Sequence, residues 1–124
     1  MSKILIVEDS ISARAQIEMM LAELNHQLVG VSNGREALDL LKKENDFDLI
    51  ITDIFMPEMD GIETIEKAIE FCPQTRIIAI SAGGMGLSGA GMLEIASGLG
   101  ARAVLHKPFA AEEFRQTVRE VLLC

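Results

Sequence analysis

Five short runs of mainly apolar residues, separated by longer amphipathic segments, constrain the fold of this chain more than any other feature. The runs lie at residues 4–7, 28–31, 49–51, 77–80 and 103–105. They are continuous rather than alternating, and isoleucine and valine are frequent in them. That pattern is typical of strands buried on both faces of a parallel sheet.

The segments between these runs carry apolar residues at helical spacing, which predicts amphipathic helices. Such stripes lie at residues 17–24, 37–41, 62–69 and 114–122, and a shorter, less regular segment lies at 92–99. Strands therefore alternate with helices along the whole chain. This order predicts a parallel α/β sheet with right-handed crossovers and helices on both faces.

Two of the predicted helices begin with a recognisable cap. Asn33 is followed three residues later by Glu36, and Asp60 is followed in the same way by Glu63. An acceptor at the N-cap with glutamate at the third helical position satisfies amide groups that the first turn leaves unpaired.

Composition excludes several classes of function. The net charge is −8, which argues against a nucleic-acid-binding surface, and the absence of Trp and Tyr argues against base stacking. Two cysteines cannot form a disulfide framework. The apolar run after Lys3 is too short for a signal peptide, and no run approaches the ~20 residues of a membrane span. We therefore expect a cytoplasmic protein without membrane contact.

Polar residues follow four of the predicted strands at the point where each strand ends. Glu8 and Asp9 follow the first, Asp53 ends the third, Ser81 ends the fourth and Lys107 follows the fifth. Because the carboxyl ends of parallel strands meet at one edge, where such sheets bind ligands, we expect these side chains to converge.

Three converging carboxylates need a cation or protons. At ~4 Å and an effective dielectric constant of 20, each pair of like charges costs about 4 kcal/mol. Mg²⁺ prefers oxygen ligands and is bound by one or two carboxylates together with waters. With Lys107 and the Ser81 hydroxyl beside it, such a site suits phosphoryl transfer, in which a carboxylate can be the nucleophile.

The stretches ILIVEDS, DLIITDIFMPEMDG, IIAISA and GARAVLHKPF resemble the receiver domains of response regulators in two-component signalling, of the chemotaxis-regulator type. The resemblance covers essentially the whole chain. It implies a doubly wound, flavodoxin-like (βα)5 three-layer sandwich with strand order 2-1-3-4-5. It also implies that Asp53 is the phosphoacceptor.

The same resemblance implies roles for the other residues of the site. Glu8 and Asp9 would form the acidic pair that binds Mg²⁺, together with Asp53 and the backbone carbonyl of Phe55. Ser81 would be the switch hydroxyl and Lys107 the lysine that pairs with the phosphoryl group.

The chain departs from the family pattern at three places. Val104 stands where many members have a rotating Tyr or Phe, and Phe55 stands where small or polar residues are common. The segment 81–92 is longer and richer in glycine than usual. We expect the phosphorylation chemistry to be retained and the signal to pass through residues 82–92 rather than through an aromatic rotor.

Three enzyme-like or cofactor-binding alternatives remain to be weighed at this point. A haloacid-dehalogenase-like aspartyl-phosphate phosphatase would share Asp53, Mg²⁺, the hydroxyl and the lysine, but it needs an acid-base aspartate where Phe55 stands. A dinucleotide-binding module would use the glycine-rich residues 84–89, but these follow the fourth strand rather than the first. A flavin-binding module on the same fold is a further alternative, and the absence of Trp and Tyr for stacking counts against it.

The sequence therefore predicts a single receiver domain over residues 1–124 that acts as a switch rather than as a turnover enzyme. A histidine kinase or phosphotransfer protein would supply the phosphoryl group. The altered face, formed by the predicted fourth helix, the fifth strand and the last helix, would control a downstream protein or a fused output domain. No direct contact with nucleic acid is expected.

Overall fold

The computed structural model describes residues 2–22, 24–54, 61–81, 98, 100–107 and 109–123. Several sequence-based predictions fall outside these ranges: Phe55, the Asp60 cap, the glycine-rich residues 82–92 and most of the helix predicted at 92–99.

One parallel sheet forms the centre of the molecule. Its strands are β1 (Lys3–Val7), β2 (Gln27–Val31), β3 (Leu49–Asp53), β4 (Arg76–Ser81) and β5 (Ala103–His106). They are hydrogen-bonded in the order β2-β1-β3-β4-β5. This arrangement confirms the predicted doubly wound sheet and its strand order.

Helices flank both faces of the sheet. Within the described residues they are α1 (Ile11–Ala22), α2 (Gly34–Lys43), α3 (Gly61–Phe71) and α4 (Ala111–Leu123). Helices α1 and α4 contact each other, and so do α2 and α3. None of the helices in the described ranges is long and apolar enough to cross a membrane.

Among the described residues, two apolar clusters form the core, one on each face of the sheet. In β1 the side chains of Ile4 and Ile6 belong to the cluster that includes α1 and α4, whereas Leu5 and Val7 belong to the cluster that includes α2 and α3. All four are almost completely buried, and burying one such side chain stabilises a fold by about 1.5–3 kcal/mol. The continuous apolar runs are therefore explained by burial on both faces.

The predicted cap of α2 is present, with one difference. The backbone N–H of Glu36 donates to Asn33 Oδ1 at 2.8 Å, as expected for an N-cap. The Glu36 carboxylate accepts from the backbone N–H of Ser32 at 2.7 Å, one residue before the cap. The first turn of α2 is therefore tied to the end of β2.

The strand register brings the ends of the strands together. Val7 pairs with Thr52, Asp53 pairs with Ile80, and Ser81 pairs with His106. The residues that follow each strand therefore lie at the same edge of the sheet.

Candidate functional site

The five polar residues predicted to converge lie at the carboxyl edge of the sheet. Glu8 and Asp9 follow β1, Asp53 is the last residue of β3, Ser81 is the last residue of β4 and Lys107 follows β5. The parallel topology fixes this arrangement, because every strand points the same way.

The three carboxylates form a compact cluster. One oxygen from each of Glu8, Asp9 and Asp53 lies within 4.8 Å of the others. Glu8 is 1% exposed and Asp53 is 6% exposed, whereas Asp9 lies on the surface. Two of the three carboxylates are therefore buried, and the third, Asp9, faces solvent.

Lys107 is the cation that faces this cluster. Its Nζ atom lies 3.2 Å from Glu8 Oε2 and 3.2 Å from Asp53 Oδ2. Burial opposes the charge on Lys107, but Asp53 and Glu8 outweigh it and raise the pKa of the ammonium group. The side chain therefore stays protonated and partly neutralises both buried carboxylates.

Glu8 is the carboxyl group that the site perturbs most. Burial, followed by the neighbouring Asp53 carboxylate, raises the pKa of Glu8 from 4.5 to about 7, although the Ser10 amide and Lys107 oppose the shift. A carboxyl group whose pKa is raised on folding stabilises the folded protein below pH 4.5. That stabilisation is lost as the pH rises through about 7. Ionisation of the buried Glu8 carboxyl group therefore costs stability.

A hard divalent cation fits this donor set. The cluster offers carboxylate oxygens only, which is the ligand type that Mg²⁺ prefers, and Asp9 leaves one side open for water or a further ligand. A cation would also offset the burial and the neighbouring Asp53 carboxylate that together raise the pKa of Glu8. The residues present are thus suited to hold Mg²⁺.

Ser81 is the last residue of β4, and Val104 lies in the neighbouring strand β5. Ser81 is completely buried at the end of β4, and its carbonyl accepts a hydrogen bond from the Lys107 backbone N–H at 2.8 Å. Val104 is half-buried and packs against the cluster on the α2 and α3 side of the sheet. Its side chain is small and stiff at χ1, so it has no ring to rotate.

Sequence reasoning missed Arg14, a residue of α1 that reaches the site. One of its guanidinium nitrogens, Nη1, donates to the Glu8 carbonyl at 3.2 Å and to Ser32 Oγ at 3.2 Å. No motif or spacing marks this arginine, since its partners lie at the ends of two different strands. The contact becomes visible only when α1 is packed beside β1 and β2.

A groove of about 390 Å³ opens beside Lys107. Its lining comes from α1 and from the segment after β5: Ala13, Gln16, Ile17, Met20, Lys107 and Phe109. The lysine that contacts Asp53 thus also borders a mainly apolar surface groove.

Comparisons with known proteins agree with this geometry. The family model of the response regulator receiver domain matches residues 4–119. The chain is 32% identical to sporulation initiation phosphotransferase F of Bacillus subtilis, over 97% of this chain and 93% of that protein. It is 34% identical to the transcriptional regulatory protein CpxR of Escherichia coli over 98% of this chain, which corresponds to 50% of the length of CpxR.

A solved structure shows the same fold. The receiver domain of sensor histidine kinase PA1611 from Pseudomonas aeruginosa superposes with a TM-score of 0.85 at 26% identity, covering 99% of this chain and 98% of that chain. That structure is described with a magnesium ion coordinated in its active site cleft.

Proposed function

The chain belongs to the response regulator receiver domain family, whose members are phosphorylation switches of two-component signalling, and on this premise we propose that Asp53 is its phosphoacceptor. The observation that carries the proposal is the position of the Asp53 carboxylate. It is almost buried, it belongs to the cluster with Glu8 and Asp9, and it lies 3.2 Å from Lys107 Nζ.

In the proposed reaction a carboxylate oxygen of Asp53 attacks the phosphorus of a phosphohistidine. The new bond joins this oxygen to phosphorus, and the bond between phosphorus and the imidazole nitrogen breaks. The imidazole nitrogen keeps the electron pair and takes up a proton. The product on this chain is an acyl phosphate, and Asp53 has become the covalently modified residue.

Glu8, Asp9 and Asp53 would hold Mg²⁺, together with the backbone carbonyl of Phe55 that the family resemblance implies. When bound, Mg²⁺ supplies positive charge that a transferring phosphoryl group requires. Asp9 is the exposed member of the cluster and is the most direct ligand in this proposal. The buried Glu8 would help to fix the position of the ion.

Lys107 and Ser81 would transmit the effect of the modification to neighbouring parts of the domain. The ammonium group of Lys107 can turn from the carboxylates to a phosphoryl oxygen, and the Ser81 hydroxyl can donate to another. Lys107 follows β5 directly and its backbone bonds to Ser81, so a change at these two residues reaches β5 and α4. Phosphorylation would therefore shift a two-state equilibrium and alter β5 and α4. The helix predicted at 92–99, which lies largely outside the described residues, would belong to the same altered face.

The partners in this proposal are a histidine kinase or histidine phosphotransfer protein on the donor side, and a downstream protein or fused output domain on the other. The cytoplasm is the proposed compartment. Residues 1–124 form one receiver domain that assists its own phosphorylation and dephosphorylation but is not a turnover enzyme. The region of CpxR that matches this chain is about half of CpxR, so that protein contains further residues outside the matched region.

The haloacid-dehalogenase-like alternative gains no support. Such a phosphatase needs a second acid-base carboxyl group two residues after its nucleophile, and this chain has Phe55 there. The family match points to signalling modules instead.

Intact-mass measurement tests the proposal. Incubation with acetyl phosphate and Mg²⁺ should add the mass of one phosphoryl group to the wild-type protein and none to Asp53→Asn. Asp39→Asn, which changes an exposed carboxylate on α2, should be modified like the wild type. EDTA should prevent the modification of the wild type and of Asp39→Asn. Uptake by Asp53→Asn at the wild-type rate would refute the assignment.

A further inference from the structure

We propose that Arg14 is a positioning residue that holds the peptide between Glu8 and Asp9 in the orientation needed for Mg²⁺ binding. The inference deepens the proposed function and rests on it, because it concerns the same metal site. Arg14 touches none of the reacting atoms; it is assigned to act through the backbone of the two acidic residues.

The contacts of Glu8 show why its carbonyl matters. Its backbone N–H donates to the Val31 carbonyl at 3.1 Å. Its carboxylate accepts from the Ser10 N–H and from Lys107 Nζ, each at 3.2 Å. The carbonyl oxygen accepts from Arg14 Nη1 at 3.2 Å. Arg14 thus holds the one backbone group of Glu8 that lies on the side of Asp9.

The planarity of the peptide bond transmits this restraint to Asp9. The Glu8 carbonyl and the Asp9 amide lie in one rigid plane, so a donor that fixes the oxygen also fixes the direction in which the chain enters Asp9. Asp9 is the exposed member of the cluster, and its side chain is not held by burial. Its carboxylate therefore depends on the backbone for its position.

The guanidinium group is itself anchored. The same Nη1 atom donates to Ser32 Oγ, and the Ser32 backbone N–H donates to the Glu36 carboxylate at 2.7 Å. Glu36 lies in the first turn of α2, where Asn33 caps the helix. The Arg14 side chain, only 20% exposed, therefore links the acidic loop after β1 to the start of α2.

If the role of Arg14 were purely electrostatic, its removal would change the Mg²⁺ affinity in the opposite direction. Arg14 places a positive charge near the carboxylates, and that charge alone disfavours a second cation. If charge were its only influence, removing it would strengthen Mg²⁺ binding. If it positions the ligands, removing it must weaken Mg²⁺ binding despite the loss of a repelling charge.

Mg²⁺ titration by calorimetry and amide NMR decides between these roles. In Arg14→Ala the dissociation constant for Mg²⁺ should rise about tenfold, the lower end of the effect of removing a group that orients a ligand. Arg14→Lys keeps the charge, but its shorter side chain lacks the planar guanidinium group that holds the two acceptors, so its affinity should be intermediate. Ser32→Ala, which removes the anchor but no charge, should also weaken binding, by a few-fold.

Glu18→Ala is the matched control. It removes the partner that lies 4.0 Å from Arg14 Nε on the same helix and leaves the bond to the Glu8 carbonyl intact. Its Mg²⁺ affinity should equal that of the wild type. In the metal-free spectra, Arg14→Ala should shift the amides of Asp9 and Ser10, whereas Glu18→Ala should not.

Three results would overturn the inference. An unchanged or tighter Mg²⁺ affinity in Arg14→Ala would leave Arg14 with a structural or electrostatic role only. If Arg14→Ala failed to fold, an unchanged Mg²⁺ affinity in both Arg14→Lys and Ser32→Ala would lead to the same conclusion. No Mg²⁺ binding by the wild type would refute the metal site itself and this inference with it.

Discussion

The Nζ atom of Lys107 lies 3.2 Å from Oδ2 of Asp53, although 54 residues separate them in the chain. The same nitrogen lies 3.2 Å from the Glu8 carboxylate. One ammonium group is therefore shared by the two buried carboxylates and neutralises them only in part. Lys107 must leave this position, at least in part, when the proposed phosphoryl group joins Asp53.

Lys107→Ala should destabilise the metal-free protein by about 1–3 kcal/mol, because it leaves two buried carboxylates without their cationic partner. Mg²⁺ can replace the missing charge, so the increase in melting temperature on adding Mg²⁺ should be larger in the variant than in the wild type. Differential scanning calorimetry measures both quantities. Lys67→Ala, an exposed lysine of α3, is the control and should change neither.

The same variant should separate phosphate uptake from signalling. Asp53 and the acidic pair remain in Lys107→Ala, so acetyl phosphate should still modify it. The NMR response of β5 and α4 to modification should be lost, because the variant has no lysine at position 107 to bind the phosphoryl group. A response equal to that of the wild type would contradict this role.

Gly30→Ala should test how tightly Arg14 is held. A Cβ atom at Gly30 would lie 2.9 Å from Arg14 Cδ and 3.0 Å from Glu18 Oε1. The close contact should outweigh the entropy advantage of alanine and destabilise the protein by about 1 kcal/mol. In an Arg14→Ala background the destabilisation should be smaller, because only the flexible Glu18 carboxylate, 3.0 Å away, remains to be displaced.

Urea denaturation of the four proteins forms a double-mutant cycle for this pair. An effect of Gly30→Ala that is the same in both backgrounds would show that Arg14 does not occupy the space beside Gly30.

His26 should make stability depend on pH. Its Nδ1 atom accepts a hydrogen bond from the Ser2 backbone N–H at 3.1 Å, so the neutral ring is the bonded form. Burial lowers the pKa of His26 below its usual 6.5, although Asp48 opposes the shift. The stabilisation is therefore present above pH 6.5 and is lost as the pH falls through the lower folded-state pKa.

The difference in unfolding free energy between wild type and His26→Asn isolates this contribution from other titrating groups. It should be constant above neutral pH and should shrink on acidification below about pH 6.5. A difference that does not change with pH would contradict the prediction.

Phe55→Asn should shorten the lifetime of the phosphorylated form. Phe55 follows the proposed acceptor by two residues, and its side chain has no polar atom that could orient an attacking water. The asparagine amide can hydrogen-bond water, so loss of phosphate should be several-fold faster. Intact-mass time courses after removal of the phosphodonor measure the rate.

Phe71→Asn, which changes a partly exposed phenylalanine at the end of α3, is the control for Phe55→Asn. It should lose phosphate at the wild-type rate. Equal rates in all three proteins would show that Phe55 does not protect the acyl phosphate.

The strands and the residues that follow them were predictable because their patterns are local. The run from Ile4 to Val7 indicates a strand buried on both faces, and the structure places alternate side chains of β1 in the two clusters. Parallel order then requires Glu8, Asp53 and Lys107 to share one edge. The capping pattern of Asn33 and Glu36 predicted the start of α2, but it did not reveal that the Glu36 carboxylate binds Ser32 instead of the cap.

The sequence by itself determined the fold class, the strand order expected for the family and the residue types at the carboxyl edge, since these follow from short-range periodicity and from the direction of parallel strands. Only the tertiary structure decided which groups touch. Lys107 reaches Glu8 across 99 residues of chain, and Arg14 joins the Glu8 carbonyl to Ser32. Such contacts depend on how α1 and the segment after β5 pack on the sheet, and no local pattern records the direction or reach of a long, flexible side chain. The burial that raises the pKa of Glu8 has the same origin, because desolvation is a property of the assembled core.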